Sequence, residues 1–382
     1  MTRGFSLYLD ALRFLAAMVV FASHLGYERF TQGGMDWIRE LNLGSDAVVV
    51  FFVLSGFVIA HTTFARDRGP GAYAQSRIAR LYSVIVPALI VTLLLDIAGS
   101  ALFPAAYDGW WYSGEAIGEQ YVRALTFTTQ VWGESMRVGT NGPFWSVAYE
   151  AWYYAGFGVA VFCRGATRWT LLGLMAIVAG PAILLLAPCW LLGVWLQQAM
   201  GRGLGGRLSQ VSGWTLALAP FGVYALALAW QVPERLYVQT YLLLGETSPH
   251  SVLGFSDEFL WNFLIAGLMG AHFLGVHRLA QEARWIGPKG EAAIRWWAGA
   301  TFSIYLFHYP ILTFLHGLPG YDGSNSLHVL ALAGATLAAS LALAEVSERR
   351  LEAWKRIVGE AFGWVSGRWR VATGRSPEPA RH

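Results

Sequence analysis

Windows of about 20 predominantly apolar residues recur along the whole chain, separated by short charged or Gly/Pro-rich breaks. A helix needs about 20 such residues, at 1.5 Å of rise each, to cross the hydrocarbon core of a bilayer. Only 13% of the 382 residues are charged, whereas a soluble domain carries about 25%. The pattern therefore predicts an all-α, polytopic membrane helical bundle and excludes an ordinary soluble enzyme. We expect about ten membrane helices, at residues 8–28, 44–64, 79–103, 143–163, 168–186, 188–201, 213–231, 256–276, 296–316 and 326–347.

The fifth and sixth windows are too short to form two complete crossings. Together they span residues 168–201, and Pro181 and Pro188 interrupt them. Proline removes one helical hydrogen bond and clashes with the preceding turn. We therefore expect a short hairpin or a pair of half-spanning helices in this region.

The lysines and arginines predict the orientation of the bundle. If the N-terminus is cytoplasmic, 21 of the 27 basic residues fall in inside segments, one lies within the first window and five fall in outside loops. The cytoplasmic loops of membrane proteins carry such an excess. The bias predicts that both termini are cytoplasmic, in a multi-pass protein of a bacterial-type cytoplasmic membrane. The five outside residues are Arg29, Arg39, Arg123, Arg137 and Arg235.

The chain divides into one long membrane domain, residues 1–350, and a short C-terminal segment, residues 351–382. The segment is basic and contains three tryptophans, as expected of a cytoplasmic tail that lies on the anionic inner leaflet of the bilayer.

Cys163 and Cys189 both lie in apolar stretches, which excludes a disulfide framework and a Cys-based zinc site. We expect no metal cofactor and no nucleic-acid partner.

Three ionisable residues lie inside the first window. A charge at the centre of a bilayer costs at least ~2.5–3.5 kcal/mol, so each such residue is a candidate functional residue. Asp10 precedes Arg13 by three positions and can form an ion pair with it. Arg13 and His24 are eleven positions apart, which is three helical turns plus ~20° and a rise of ~16 Å, so they share one helix face. The three ionisable residues of the first window therefore predict a reaction centre. A buried ion pair beside an interfacial histidine is the alternative interpretation.

The fourth window contains a carboxylate, Glu150, about two turns from its start. Ser146 precedes Glu150 by four positions and lies on nearly the same helix face, so we expect a hydrogen bond between them. A carboxylate in the membrane needs a partner or a proton. We expect Glu150 to act in the active site or to orient a residue that does; a structural role beside a partner is the alternative.

The ninth window contains His308 near its middle, two residues before Pro310, where we expect a kink. His308 is either a functional residue or a core histidine that bonds to a neighbouring helix. In the second window, Ser55 and Gly56 are small residues that permit close helix packing.

Arg77 and Arg80 lie three positions apart at the inside start of the third window, on one helix face. Two guanidiniums so placed can hold a phosphate by bidentate hydrogen bonds. Marking the inner side of the membrane is the alternative role.

The predicted outer loop at residues 104–142 contains Trp110, Trp111 and Trp132 among several carboxylates. Aromatic rings beside carboxylates can bind a sugar. The same rings also suit anchoring at the membrane interface, which is the alternative.

Together these segments resemble the acyltransferase-3 family of integral membrane acyltransferases, over about residues 5–350. Five motifs of that family occur in order along the chain, and the most specific is an arginine with a histidine eleven positions later. The matching residues are Asp10, Arg13 and His24; Gly44, Phe51, Phe52, Leu54, Ser55, Gly56 and Phe57; Arg77 and Arg80; Trp145, Ser146 and Glu150; and Tyr305, Leu306, His308 and Pro310. The resemblance implies ten helices with both termini cytoplasmic. Since the chain lacks the C-terminal esterase-like domain of some members, it resembles the stand-alone members.

The resemblance also implies transfer of an acyl group, commonly acetyl, from cytoplasmic acyl-CoA to a hydroxyl of a glycan or lipid-linked saccharide outside. Arg77 and Arg80 would bind the phosphates of the donor, acetyl-CoA above all. His24 would act as general base, or as the nucleophile that carries the acyl group as an acyl-imidazole. Glu150 would orient or charge-stabilise His24, and Arg13 would hold the donor or pair with Asp10. The residues expected to support the substrate or the site are Ser55, Trp145, Ser146, Tyr305 and His308.

A proton-coupled transporter or flippase is the rival function, because intramembrane acids, arginines and histidines also mark proton pathways. Transporters commonly contain inverted repeats, and no internal repeat is visible in this sequence. A scaffold without activity is the third possibility, but it leaves the ionisable residues of the first window without a function.

Overall fold

The computed structural model describes residues 1–67, 69–281 and 286–361. Within these ranges the chain folds into helices and contains no β-strand. The longer helices are α1 (Arg3–Leu25), α2 (Leu43–Arg66), α3 (Pro70–Leu102), α4 (Phe144–Phe162), α5 (Gly165–Gly201), α6 (Gln210–Ala229), α7 (Val232–Leu243), α8 (Phe259–Leu279), α9 (Pro288–Ala298), α10 (Thr301–His316) and α11 (Ser326–Val346). Shorter helical segments lie at Glu28–Thr31, Asp36–Glu40, Pro104–Tyr107, Ile117–Leu125, Val131–Gly133, Pro249–Leu253, Gly254–Ser256 and Glu348–Arg350.

The described helices form a multi-pass membrane bundle, as predicted. Seven of them are long and apolar enough to cross a membrane, and the count is eight if α9 and α10, which meet at a bend of 48°, form one broken span. The all-helical architecture is therefore confirmed. By length and composition, the described part of the chain contains seven or eight helices that can cross a membrane, which is fewer than the ten expected from the sequence.

Of the two arrangements expected at the fifth and sixth windows, the hairpin is wrong, because the windows form one continuous element, α5, in which two helical segments meet at a kink. The helix is interrupted only at Gly180, whose φ of 79° and ψ of 175° are not helical. A positive φ is readily open to glycine, and the following Pro181 cannot donate to the helical ladder. The backbone of Trp132 packs against this break, where a Cβ on Gly180 would lie 2.8 Å from the Trp132 Cα. Two proline-interrupted windows therefore indicate a local break in one helix.

Helices α2 and α5 cross at close range through two glycines. A Cβ at Gly56 would overlap the carbonyl oxygen of Trp190, and a Cβ at Gly193 would overlap the carbonyl oxygen of Val53. Small residues allow helix backbones in a membrane to approach each other in this way. The packing role predicted for Gly56 is confirmed.

Helix α10 lies at the centre of the bundle. Every residue from 303 to 313 is buried, and the helix packs against α1, α3 and α11. Pro310 has no backbone N–H, so the carbonyl of Leu306 loses its usual helical donor. Asn141 Nδ2 donates to that carbonyl at 3.0 Å, and α10 continues as one helix to His316. The centre of the bundle can therefore hold polar groups on a rigid helix.

The first part of the C-terminal segment remains attached to the bundle. Residues 351–361 are helical, and Gln75 Nε2 donates to the carbonyl of Lys355 at 2.8 Å. The remainder of the predicted basic tail, residues 362–382, lies outside the described residues.

Candidate active site

A cavity of about 380 Å³ lies among α2, α3, α4 and α10. Its wall along α2 runs from Val48 to Thr62, which is about 21 Å of helix. One end is charged, and we call it the Arg77 end; the rest of the wall is mainly apolar. The charged residues there are Arg13, Asp67, Arg77, Arg80 and Lys355, and the apolar residues of the wall are Val48, Phe51, Phe52, Leu54, Val58, Ile59, Leu81, Val147, Phe302 and Leu351.

Arg77 and Arg80 both face the cavity, and each has an acidic partner. Arg77 Nη2 donates to Asp67 Oδ2 at 2.8 Å and to Thr62 Oγ1 at 3.0 Å. Arg80 Nη2 lies 2.9 Å from Glu348 Oε1. A guanidinium carries five N–H donors, so both side chains keep donors for phosphate oxygens. The side chains at this end therefore fit a phosphate-bearing ligand.

Asp10 and Arg13 form the ion pair predicted from their spacing, with 3.5 Å between Oδ1 and Nη2. Arg13 also donates to the carbonyl of Ala298 at 2.9 Å, and Arg295 lies 3.1 Å from Asp10. These contacts tie α1 to α9. Arg13 lines the cavity as well, so it can meet a ligand while its ion pair holds the two helices together.

Glu150 stands in the cavity wall with partners other than the expected ones. Its Oε1 accepts hydrogen bonds from Ser55 Oγ and Tyr154 Oη, both at 2.5 Å. Trp190 Nε1 donates to the same Ser55 oxygen at 3.2 Å. These hydrogen bonds give the Glu150 carboxylate the partners that a carboxylate in the membrane requires. The structure does not pair Glu150 with His24, and the orienting contact to that histidine comes from another residue.

Ser146 and Tyr305 lie in the cavity wall away from the Arg77 end. Their hydroxyl oxygens are 2.7 Å apart, so the hydrogen bond expected between Ser146 and Glu150 is not the one formed. Trp145, the residue before Ser146, stacks on Phe255 with 4.4 Å between ring centroids and 6° between planes. Ser146 and Tyr305 are thus placed to meet a ligand, and Trp145 packs beside them.

His24 and His308 form a hydrogen-bonded pair between α1 and α10. The Nδ1 atom of His24 lies 2.9 Å from the Nε2 atom of His308, and the ring centroids are 5.0 Å apart. The other nitrogen of His308, Nδ1, lies 2.9 Å from the carbonyl oxygen of Ile304. His308 is fully buried, whereas His24 is partly exposed. The histidine expected to bond to a neighbouring helix therefore bonds to the candidate catalytic histidine.

These hydrogen bonds determine which ring nitrogens carry protons. A carbonyl oxygen only accepts, so Nδ1 of His308 donates to Ile304. In neutral rings, Nε2 of His308 then accepts from Nδ1–H of His24, and Nε2 of His24 keeps its lone pair. His24 therefore has one basic nitrogen, and its position is set by His308.

The histidine pair lies one helical turn beyond the cavity wall. Tyr305, in that wall, is one turn before His308, with 6.4 Å between ring centroids, and His308 in turn contacts His24. The cavity therefore extends from the Arg77 end to Tyr305, and we call the region around the two histidines the His24 end. Within the described ranges, no three His, Cys, Asp or Glu side chains cluster as metal ligands.

Three arginines at the His24 end are functional candidates that the sequence motifs did not indicate, since their positions were interpreted only as topology markers. Arg29, Arg39 and Arg137 all lie close enough to His24 to act electrostatically on its ring. They are three of the five basic residues that depart from the inside bias. That departure is the signal in the sequence that points to them.

A family model described as an acyltransferase domain matches residues 6–345 of the chain. The chain belongs to this acyltransferase family. A curated relative of the same type, Acyltransferase MdmB of Streptomyces mycarofaciens, is 35% identical over 155 residues, which are 39% of this chain and 37% of that protein. No solved structure matches the chain. Membership of an acyltransferase family favours acyl transfer over the transporter and scaffold alternatives.

Proposed function

We propose that this acyltransferase moves an acyl group from acyl-CoA, bound from the Arg77 end of the cavity, to a hydroxyl of a glycan or lipid-linked saccharide at the His24 end. The observation that carries the proposal is the chain of hydrogen bonds from Ile304 through His308 to His24. It leaves one basic nitrogen on the Tyr305 side of a cavity that suits the donor. In this proposal the Arg77 end is cytoplasmic and the protein lies in the cytoplasmic membrane of a bacterial cell.

The cavity supports acyl-CoA as the donor by its charge and its length. The phosphates of CoA would bind the donors that Arg77 and Arg80 keep beside their acidic partners. The pantetheine arm would extend along the apolar wall, which follows α2 for about 21 Å, and bring the thioester towards Tyr305. Acetyl is the acyl group that we propose, because acetyl-CoA is the commonest acyl-CoA donor.

The chemistry at His24 begins with its Nε2 lone pair and proceeds by one of two routes. As general base, Nε2 takes the proton of the acceptor hydroxyl while the hydroxyl oxygen attacks the thioester carbonyl. The carbon–sulfur bond then breaks, and the CoA thiolate receives the proton. As nucleophile, Nε2 attacks the thioester carbonyl and forms an acyl-imidazole, while the carbon–sulfur bond breaks and CoA leaves as the thiolate. The acceptor hydroxyl then attacks the acyl group, the carbon–nitrogen bond breaks, and the hydroxyl proton passes to the CoA thiolate. In both routes His308 holds the ring so that Nε2 is unprotonated and in place when the reaction begins.

The test is His24→Asn, because the Asn amide keeps a donor near the position of Nδ1 and lacks Nε2. We expect the purified variant in detergent to remain folded and to lose acetyl-CoA turnover by about 10²–10⁴-fold, the usual contribution of a general base. His328→Gln is the matched control, since His328 accepts a hydrogen bond from the Asp322 amide in another loop. It should keep the wild-type rate.

Near-normal turnover by His24→Asn would remove the catalytic assignment. The two routes differ in one measurement. Wild-type protein quenched during turnover of radiolabelled acetyl-CoA without acceptor carries label on His24 in the nucleophilic route and none in the general-base route. Mass comparison of surface glycans from producing and deleted strains then names the acceptor by a difference of one acyl unit.

A further inference from the structure

Three arginines and three aromatic residues surround the exposed side of His24, outside the cavity. We call this set the arginine–aromatic cluster: Tyr27, Arg29, Arg39, Trp110, Trp111 and Arg137. Tyr27 stacks near the His24 ring, with 6.0 Å between centroids, and Trp110 lies 5.9 Å from Tyr27. Trp110 is 59% exposed, so the cluster is open to a ligand.

Arg29 is held in the cluster by aromatic rings. Its guanidinium carbon lies 4.6 Å from the Tyr27 centroid, 4.3 Å from Phe30 and 4.4 Å from Trp111. Its Nη2 donates to the hydroxyl of Tyr309 at 2.5 Å. Cation–π contacts orient a guanidinium without neutralising its charge. Arg29 is therefore a fixed positive charge beside the histidine.

Arg39, in the short helix Asp36–Glu40, and Arg137, in the loop before α4, complete the cluster. Arg39 lies 4.1 Å over the Tyr27 ring and donates to Ser23 Oγ at 3.1 Å. Arg137 lies 4.6 Å over the Trp110 ring. Both side chains are partly exposed. They therefore keep N–H donors that can reach a ligand.

The cluster carries three positive charges. None of the three arginines has a carboxylate within 4.0 Å in the part of the chain that the structure describes. The other guanidiniums that face the site do: Arg77 pairs with Asp67, and Arg80 pairs with Glu348. Converging like charges in a partly buried site repel each other and create a local potential that attracts anions. The three guanidiniums therefore favour a negatively charged ligand.

We propose that the arginine–aromatic cluster binds the acceptor, and that the acceptor carries a carboxylate or phosphate close to the hydroxyl that receives the acyl group. This inference rests on the proposed function, because it uses the cluster as the acceptor site of that reaction. Guanidiniums bind planar or tetrahedral oxyanions by paired hydrogen bonds. A cationic acceptor is excluded by the three positive charges. An uncharged one leaves them unpaired.

The test uses the full-length protein in detergent and three sugars of similar size: glucose, glucuronate and glucose 6-phosphate. We expect at least one of the two anionic sugars to bind ten times or more tightly than glucose, with an affinity that falls as salt rises. Comparison of glucuronate with glucose 6-phosphate shows whether the site binds a carboxylate or a phosphate. Tryptophan fluorescence and calorimetry give the dissociation constants.

The variants Arg39→Gln and Arg137→Gln remove one charge each without disturbing the stacked Arg29. Each should weaken binding of the anionic sugar about tenfold, and Arg39→Lys, which keeps the charge, should retain part of the affinity. Arg123→Gln is the matched control: Arg123 is also a predicted outside arginine, but it bonds to Glu119 and Glu134. It should bind like the wild type.

Equal binding of glucose and both anionic sugars overturns the inference, as does unchanged anion binding by the Arg39→Gln Arg137→Gln double variant. Turnover of acetyl-CoA by the same wild-type preparation separates the two proposals. If the protein turns over acetyl-CoA through His24 but shows no preference for anions, the inference fails alone. If it binds anions at the cluster but never turns over acyl-CoA, the proposed function fails.

Discussion

The Nδ1 atom of His24 lies 2.9 Å from the Nε2 atom of His308, although 284 positions separate the two residues in the chain. One histidine is on the first helix and partly exposed, and the other is fully buried on α10. Because α10 is buried over residues 303–313, His308 has no freedom to follow a moving partner. The contact therefore places a rigid acceptor behind the candidate catalytic ring.

Replacing His308 should separate positioning from structure. In His308→Gln the amide oxygen can take the place of Nε2 and accept from His24, so most activity should remain. In His308→Ala the His24 ring can rotate and exchange tautomers, and we expect turnover of acetyl-CoA to fall by about 10- to 1,000-fold. The pH dependence of kcat is the decisive measurement. A purely structural defect lowers kcat equally at every pH, whereas loss of positioning also moves the pH at which the rate is half-maximal.

Arg77 and Arg80 should govern the affinity for the donor. The Arg77→Gln Arg80→Gln double variant removes two charge-assisted contacts to phosphate, each worth about 1.5–3 kcal/mol, so we expect the KM for acetyl-CoA to rise by at least tenfold with a smaller effect on kcat. A dephospho donor, which lacks one phosphate of CoA, shows whether phosphate is the group recognised. Arg202→Gln, an exposed arginine that follows α5, serves as the control. A donor KM equal to that of Arg202→Gln would contradict the assignment.

The hydroxyl of Ser55 should contribute to the stability of the cavity wall. Ser55→Ala removes one donor from Glu150 and the acceptor of Trp190 Nε1, so a partly buried carboxylate and a buried indole N–H lose a partner at once. Such losses cost about 1–3 kcal/mol, and the thermal midpoint of the detergent-solubilised protein should fall. Ser251→Ala, at an exposed serine whose hydroxyl donates to the Ser248 carbonyl, should change the midpoint little. Equal midpoints for the two variants would show that the Ser55 contacts are not stabilising.

The sequence predicted those features of the fold that depend on local spacing and composition. Membrane helices follow from apolar windows, and the ion pair between Asp10 and Arg13 follows from a spacing of three on one helix. The break at Gly180 differs from the expected hairpin because a proline shows only that the helical ladder is interrupted. It does not show whether the chain turns back, which depends on what packs there.

The pairings between distant helices could not be predicted from spacing. Glu150 and Ser146 lie four positions apart but do not bond to each other. Glu150 accepts from Ser55 of α2 and from Tyr154 of its own helix, and Ser146 bonds to Tyr305 of α10, so the spacing alone does not select the partner. The partner of His24 is on α10, and only the fold brings the two together. Asp46 is a further case: its carboxylate accepts from Tyr224 and Trp261, and nothing near it in the sequence indicates those contacts.

The close crossing of α2 and α5 should respond to a single methyl group. Gly56→Ala would force the Cβ against the backbone of Trp190, which cannot move aside as a flexible side chain can. Overpacking of this kind costs about 1–3 kcal/mol, and it would also displace the neighbouring Ser55 from Glu150. Gly222→Ala is the matched control, because Gly222 is also within a membrane helix and a Cβ there meets open space. Alanine favours a helix over glycine by about 0.5–1 kcal/mol, so this control should hold or raise the thermal midpoint while Gly56→Ala lowers it. If both variants shift the midpoint in the same direction by similar amounts, helix propensity rather than the contact between the two backbones determines the effect at Gly56.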